Sequence, residues 1–507
     1  MILGMSCAFK QAVIIGAFCL GFTPGVLPFG QATATTKAVD LTIRPQAPTT
    51  PFPHFWEQMF GSGRAILSLR DSYRRDLRAM KAATGIQYVR FHAIFHDEIG
   101  VYEENQQGEP VFNWSYVDQI YDGLLENGVR PFVELSFMPS KLAASQAPHA
   151  FWYKLLPSPP KNYVKWEALI NAFARHLLDR YGADEVSRWY FEVWNEPNID
   201  FWTGEPKQAT YFELYDHAAK AVKRADARLR VGGPATAQAA WVPAMIAHSV
   251  AAKVPLDFVS THVYANDTPE DVFHSHADIP RSEMVARAVG KVYQEVKQSS
   301  RPDLPIYWSE YNASYKNEID ITDSTFMGPW LANTIRECDG LTAAMSYWTF
   351  SDVFEEQGVV KTPFYGGFGL IAEGGIPKAA FNAFMMLHKL GERRLQPELA
   401  NAIVTKRADG TLVLAVWNYA SDADQGDVER VRVHIAGWKT EPRIQVEVLD
   451  PKRGSALTAW KAMGAPRFPT REQYQALRRT ATATEKLNSS TFMLPPQGLA
   501  LVEVQGQ

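Results

Sequence analysis

The sequence predicts an α/β protein: a (β/α)8 TIM barrel with an accessory β-sandwich domain built mainly from the C-terminal segment. Three observations predict it. Between about Phe55 and Leu390, short apolar, β-branched or aromatic runs alternate with amphipathic helical stretches, the pattern of a parallel sheet wrapped by helices. The runs number eight, the count that closes such a sheet into a barrel. After about Arg393 the helical periodicity gives way to strand-like runs. A chain of 507 residues also exceeds a single core, which stops growing near roughly 250–300 residues, so two domains are expected.

In chain order, residues 1–34 read as a signal peptide. Lys10 precedes an apolar stretch from Ala12 to about Leu27, and Ala32-Thr33-Ala34 supplies a small-residue cleavage pattern. Pro24 and Pro28 interrupt the stretch and leave it short of the roughly 20 residues that span a bilayer, so export to a periplasm or the medium is expected, without stable membrane insertion after cleavage. Cleavage would remove Cys7 and Cys19 and leave Cys338, with no partner for an internal disulfide. Residues 35–54 read as an N-terminal strand and linker. Val39–Arg44 alternates and can supply the sandwich with a strand, while Pro45–Pro53 is extended.

The barrel is expected over 55–392, with strands at Trp56–Phe60, Gln87–His92, Arg130–Leu135, Trp189–Trp194, Leu229–Gly232, Asp257–Val263, Pro305–Ser309 and Thr342–Trp348. Among the helices, Trp166, Leu169, Ile170, Phe173, Leu177 and Tyr181 recur at three- and four-residue steps, and Gly182 is placed as the stop. The sandwich is expected over 393–507. Ala402–Lys406 and Thr411–Tyr419 flank the turn signal Ala408-Asp409-Gly410, and Val431–Ile435, Arg443–Leu449 and Leu499–Val504 continue the period-two character.

Composition excludes some functions. The 46% hydrophobic and 21% charged residues suit a large buried core, and a net charge of -4 without long runs of one sign gives nucleic acid nothing to bind. No metal is implied: His92 and His96 have ligand spacing only on a helix, yet they fall at a strand-to-loop transition, and there are no paired cysteines. No Gly-rich phosphate loop followed by Lys is present, so no nucleotide cofactor is implied either. Oligomeric state is left open.

The chemistry lies at two strand ends. Trp194-Asn195-Glu196-Pro197 closes the fourth strand and Trp308-Ser309-Glu310-Tyr311 the seventh, so both carboxylates should point into the barrel mouth, where such folds keep their sites. Two carboxyl groups roughly 5–5.5 Å apart, one protonated and one ionised, are what hydrolysis of a glycosidic bond with retention requires. Glu196 is expected to be the acid/base, its pKa raised by its neighbours, and Glu310 the nucleophile, kept charged by hydrogen bonds. His262 and Tyr264, two apart on the sixth strand, share a face and can hold Glu310 and a sugar. Arg90 is either a contact in the site or a buried ion-pairing residue beneath it, and Phe137 after the third strand is a candidate pocket wall.

These residues resemble the large clan of retaining glycosidases with (β/α)8 barrels. More closely, Gly61-Ser62-Gly63-Arg64-Ala65, Val89-Arg90-Phe91-His92, Thr261-His262-Val263-Tyr264, Tyr347–Glu356 and Gly366-Gly367-Phe368-Gly369-Leu370 resemble glycoside hydrolase family 39, over nearly the whole chain after the leader. That family is best known for β-xylosidases and also contains α-L-iduronidases. The resemblance implies the same roles for Glu196 and Glu310, and a hydrogen bond from Asn195 to the sugar 2-hydroxyl. It also implies hydroxyl contacts from His92, Glu355 and Glu356, and an apolar platform at Trp348. Tyr347–Glu356 is most similar to the xylosidase branch, which implies β-D-xylosides. An iduronidase needs a cationic clamp, and Tyr347–Glu356 holds no Arg or Lys, although Lys361 lies just beyond and Arg90 can reach inside. Action on another sugar, an endo mode on a polysaccharide, and a non-catalytic carbohydrate-binding protein remain as alternatives.

Overall fold

The computed structural model describes residues 36–506 except 422–425, 438–441 and 483–484; the signal-peptide segment lies outside the described residues. Eight parallel strands close into a barrel: Met59–Gly61, Tyr88–Phe91, Arg130–Leu135, Tyr190–Val193, Arg230–Thr236, Phe258–Tyr264, Ile306–Asn312 and Ala344–Tyr347. The last pairs with the first, Ser346 opposite Met59. Each strand is followed by a helix that returns the chain to the opposite end, as right-handed crossovers require. One of these, Tyr163–Tyr181, shows how the sequence sets its bounds. Asn162 accepts from the amides of Val164 and Lys165, Trp166, Leu169, Ile170, Phe173 and Leu177 are buried, and Gly182 ends it at φ +81°.

All eight expected strands form, with shifted ends. The first begins at Met59 rather than Trp56, because Trp56 and Glu57 belong to a turn beneath it. The fifth runs on to Thr236 and the seventh to Asn312, past the apolar residues that announce them, since their ends carry polar side chains.

The accessory region is two sheets packed face to face. The larger orders Thr49–Pro51, Arg393–Leu395, Ala402–Lys406, Leu412–Asn418, Gly498–Gln505, Arg443–Leu449 and Glu485–Leu487; the smaller places Val428–Ile435 between Thr36–Ile43 and Thr491–Leu494. Thr36–Ile43 pairs in parallel with Val428–Ile435, so a strand from before the barrel enters this region. Leu412–Asn418 is buried on both faces. Leu412, Leu414 and Val416 fill the sandwich core, whereas Val413, Ala415 and Trp417 join the barrel core. Gly410 turns the expected hairpin at φ +88°.

The C-terminal segment is not strand throughout, as its patterning led us to expect. Helices Leu457–Ala462 and Arg471–Ala481 pack Leu457, Trp460, Leu477 and Ala481 on Phe364, Ala372 and Ile376 of the loop after the eighth strand. Thr470 and Gln473 form a capping box at the second, a start signal present in the sequence but passed over. Cys338 is buried and unpaired. No helix among the described residues is long and apolar enough to cross a membrane.

Candidate active site

Because strand side chains alternate, residues two apart look into the barrel in successive layers. The floor is aromatic: Tyr88, Phe132, Tyr190, Phe258 and Tyr307 cluster with Met59. Two residues further along the same strands stand Arg90, Glu134, Glu192, Ser260 and Ser309, all buried. The next step brings His92, Ser136 and His262 to the mouth, with Glu196 and Glu310 beside them. A register shift after Thr261 sets His262 opposite Glu310.

Arg90 holds the middle layer together. Its guanidinium reaches Glu192 Oε2 at 2.6 Å, Glu310 Oε1 at 2.7 Å, Glu134 Oε2 at 2.7 Å and Asn195 Oδ1 at 2.9 Å. Burial opposes its charge, but Glu192, Glu134 and Glu310 outweigh that and hold it protonated. Glu310 therefore has a cation on one oxygen, and Tyr264 donates its hydroxyl to the other at 2.6 Å. Its Oε1 is fixed from below and its Oε2 from the side.

Glu196 is in the opposite situation. Burial, then the charges of Glu310 and Asp267, hold its carboxyl well above the ordinary range. His262, pushed well below its usual pKa by burial and by Arg90, is a neutral imidazole. Ser309 gives its hydroxyl proton to Glu192 at 2.6 Å, so its oxygen accepts from His262 Nε2–H at 3.0 Å. The bare Nδ1 then faces Glu196 Oε1 at 3.0 Å and accepts a hydrogen bond from the carboxylic acid, which keeps its proton. The turn that presents Glu196 is strained, with Trp194 at φ 72° and Glu196 at φ 46°; Trp194 Nε1–H on Phe201 O at 2.8 Å and Glu196 N–H on Ala235 O at 2.7 Å hold it.

A cavity of about 400 Å³ opens above this pair, lined by His92, Asn195, Glu196, Tyr264, Glu310, Trp348 and Glu356. His92 donates Nδ1–H to Glu134 at 2.7 Å, which leaves Nε2 toward the cavity, and its ring lies 4.6 Å from that of Trp348. Trp348 covers Gly61 so closely that a β-carbon there would clash with the indole, which explains the glycine. Asn195 spends its carbonyl on Arg90 and keeps its amide protons for a ligand. A protonated carboxyl facing one paired with a guanidinium, a polar rim and one indole face are the equipment for cleaving a sugar acetal. The model of "Glycosyl hydrolases family 39" matches residues 39–493.

The chain belongs to glycosyl hydrolase family 39. This family 39 enzyme is 34% identical over 472 residues to a protein named beta-xylosidase from Geobacillus stearothermophilus, covering 90% of this chain and 93% of that one. It is 37% identical over 433 residues to another from Caldicellulosiruptor saccharolyticus, covering 83% and 87%. Among solved structures, a GH39 beta-xylosidase from Caulobacter crescentus superposes with a TM-score of 0.79 at 33% identity, covering 92% of this chain and 100% of that one.

The family 39 enzyme does not bring every residue of the sequence reading to its cavity. Glu355 turns away to Arg70 at 2.6 Å and Arg64 at 3.2 Å, and against the opposing effect of burial these cations hold its pKa below the usual value. Only Glu356 of that pair lines the cavity; burial, then Glu310 and Glu134, push its carboxyl well up, so it is a proton donor. Phe137 is fully buried beneath the wall, 5.9 Å from the rings of His92 and Phe201, and forms no part of the lining. Arg90 and His262 likewise act from beneath. The sequence reading passed over Glu134, Glu192 and Asp267. The first two were visible as charges at inward positions of apolar strands; Asp267, its pKa raised to about 7 by burial, sits in a loop and carried no signal.

Proposed function

We propose that this enzyme is a retaining β-xylosidase that releases xylose from β-1,4-xylo-oligosaccharides by double displacement, with Glu196 as acid/base and Glu310 as nucleophile. One observation carries the reading. Oxygens of Glu196 and Glu310 lie within 4.8 Å of each other, the spacing of a retaining rather than an inverting pair, with the Glu196 carboxyl held protonated and Glu310 paired with the Arg90 guanidinium.

In the first step Glu310 Oε2 or Oε1 attacks the anomeric carbon as the glycosidic C–O bond breaks, and Glu196 passes its proton to the departing oxygen. The product alcohol leaves and a glycosyl ester of Glu310 remains. In the second step Glu196, now a carboxylate, takes a proton from water. That oxygen displaces Glu310, which restores both groups and the original anomeric configuration. His262 Nδ1 faces Glu196 and Tyr264 holds Glu310 on course throughout.

The cavity's charge supports a neutral sugar. Among its lining residues are Glu196, Asp200, Asp267, Glu310 and Glu356 and no Lys or Arg, while Arg90 is already committed to three carboxylates. A uronate would find no cationic clamp in this lining, which argues against an iduronidase. The beta-xylosidase names of the relatives point the same way. The leader-like segment 1–34 supports export, which N-terminal sequencing of the secreted protein would test. Activity is tested with a panel of nitrophenyl glycosides and the Glu310→Ala variant. The β-D-xyloside should be the best substrate, with anomeric retention seen by proton NMR of early product. Preference for another glycoside would replace the substrate, and inversion would overturn the mechanism.

A further inference from the structure

Far from the mouth, where the chain turns into the first barrel strand, His54, Glu57 and His388 converge. Glu57 precedes that strand by two residues, so the cluster lies at the N-terminal end of the barrel, opposite the cavity. His54 Nδ1 lies 2.7 Å from Glu57 Oε1, and His388 Nδ1 lies 2.9 Å from both carboxylate oxygens. The three ligand-type atoms all fall within 4.8 Å of one another.

We propose that His54, Glu57 and His388 form a structural site for Zn²⁺ at the base of the barrel. Two imidazole nitrogens and one carboxylate oxygen are a donor set that Zn²⁺ accepts at about 2.0–2.2 Å, whereas Ca²⁺ and Mg²⁺ require oxygens throughout. Ligands at that length around a tetrahedral ion stand about 3.3 Å apart, so the ion would replace the protons of the 2.7 and 2.9 Å contacts and part the donors by about half an ångström. The groups around the ligands fix them in place. Gly85 N–H holds the far oxygen of Glu57 at 3.0 Å, and the His54 ring lies 4.4 Å from that of Trp56. Glu57 is buried, but His388, which follows helix Ala379–Leu387, is half-exposed and leaves a path and a solvent-facing fourth position. The ion would tie the entry to the first barrel strand to the end of the last barrel helix, through Glu57 and His388, which are 331 residues apart.

Zn²⁺ titration of the EDTA-treated full chain by calorimetry tests this, with His388→Ala and Glu310→Ala beside it. The second variant matters because Glu196, His262 and Glu310 also bring ligand atoms within 4.8 Å. One Zn²⁺ per chain is expected, with affinity at least about tenfold weaker in His388→Ala and unchanged in Glu310→Ala. At about 100-fold excess over the dissociation constant the ion should raise the melting temperature by about 3 °C in the parent and Glu310→Ala but not in His388→Ala. Xyloside hydrolysis by His388→Ala should match the parent. Absence of binding at 100 times the protein concentration, about 1 mM Zn²⁺, or binding lost in Glu310→Ala and kept in His388→Ala, would overturn the proposal.

Discussion

The aromatic floor of the barrel and the charged layer above it are made by the same strands, two residues apart, and they satisfy opposite demands. At the floor Phe132 stacks on Tyr190 at 5.1 Å and Tyr307 donates to the Tyr190 hydroxyl at 2.7 Å, so the layer is apolar surface with its few polar atoms paired. In the layer above, beneath the mouth, one guanidinium and three carboxylates are removed from water together. Burial of charge on that scale stabilises nothing by itself; breaking a buried pair typically costs about 3–5 kcal/mol because the partner is stranded. One layer, about 6.6 Å along a strand, therefore separates residues kept for stability from residues kept for chemistry.

The sharpest test of that division is Glu310→Ala. We expect kcat on xylobiose to fall by at least about 10⁴-fold, while denaturant unfolding shows the variant still folded, since the floor is untouched. Glu196→Gln comes next, with a loss of about 10²–10⁴ on xylobiose. On a nitrophenyl xyloside, whose leaving group needs no proton, the cleavage step should be affected far less. Equal losses on both substrates would remove Glu196 from the acid's role.

Two stability variants probe the layers directly. Phe132→Ala opens a cavity in the floor and should cost about 3–5 kcal/mol of unfolding free energy, with kcat per folded molecule unchanged. Arg90→Met should cost a similar amount and also abolish activity, because Glu134, Glu192 and Glu310 lose their common cation. If Phe132→Ala lowered kcat as much as Arg90→Met, the floor and the charged layer would be one unit and the division would fail.

The same layering explains what was legible in the sequence. Strand cores announce themselves because apolar residues alternate or run together, so all eight barrel strands were found. Their ends were blurred where polar residues that bond to neighbouring backbone replace apolar ones, as at Thr236 and Asn312. Glu196 and Glu310 stood out because each follows an aromatic strand. Glu355 and Phe137 were misplaced by position alone: which of two adjacent glutamates turns inward depends on Arg64 and Arg70, nearly 300 residues away in the chain. His54 and His388 had no local signal at all, since only closure of the barrel brings them to one carboxylate.

The smallest effect separates the causes acting on Glu196. Burial is the largest, and the negative charge of Glu310 the next. The general acid must be protonated, so cleavage should be lost as pH rises through the raised pKa of Glu196, and the alkaline limb of kcat/KM reports it. Glu310→Gln removes the charge and keeps the shape. Without that repulsion the Glu196 carboxylate is less disfavoured, so the group should titrate at lower pH than in the parent, yet still above an exposed glutamate because burial remains. Carbon-13 NMR of labelled glutamate side chains measures this in the inactive variant. An unshifted Glu196 would mean that burial, Asp267 and the bare Nδ1 of His262 set its proton affinity without Glu310, and that the pair is coupled through attack geometry rather than charge.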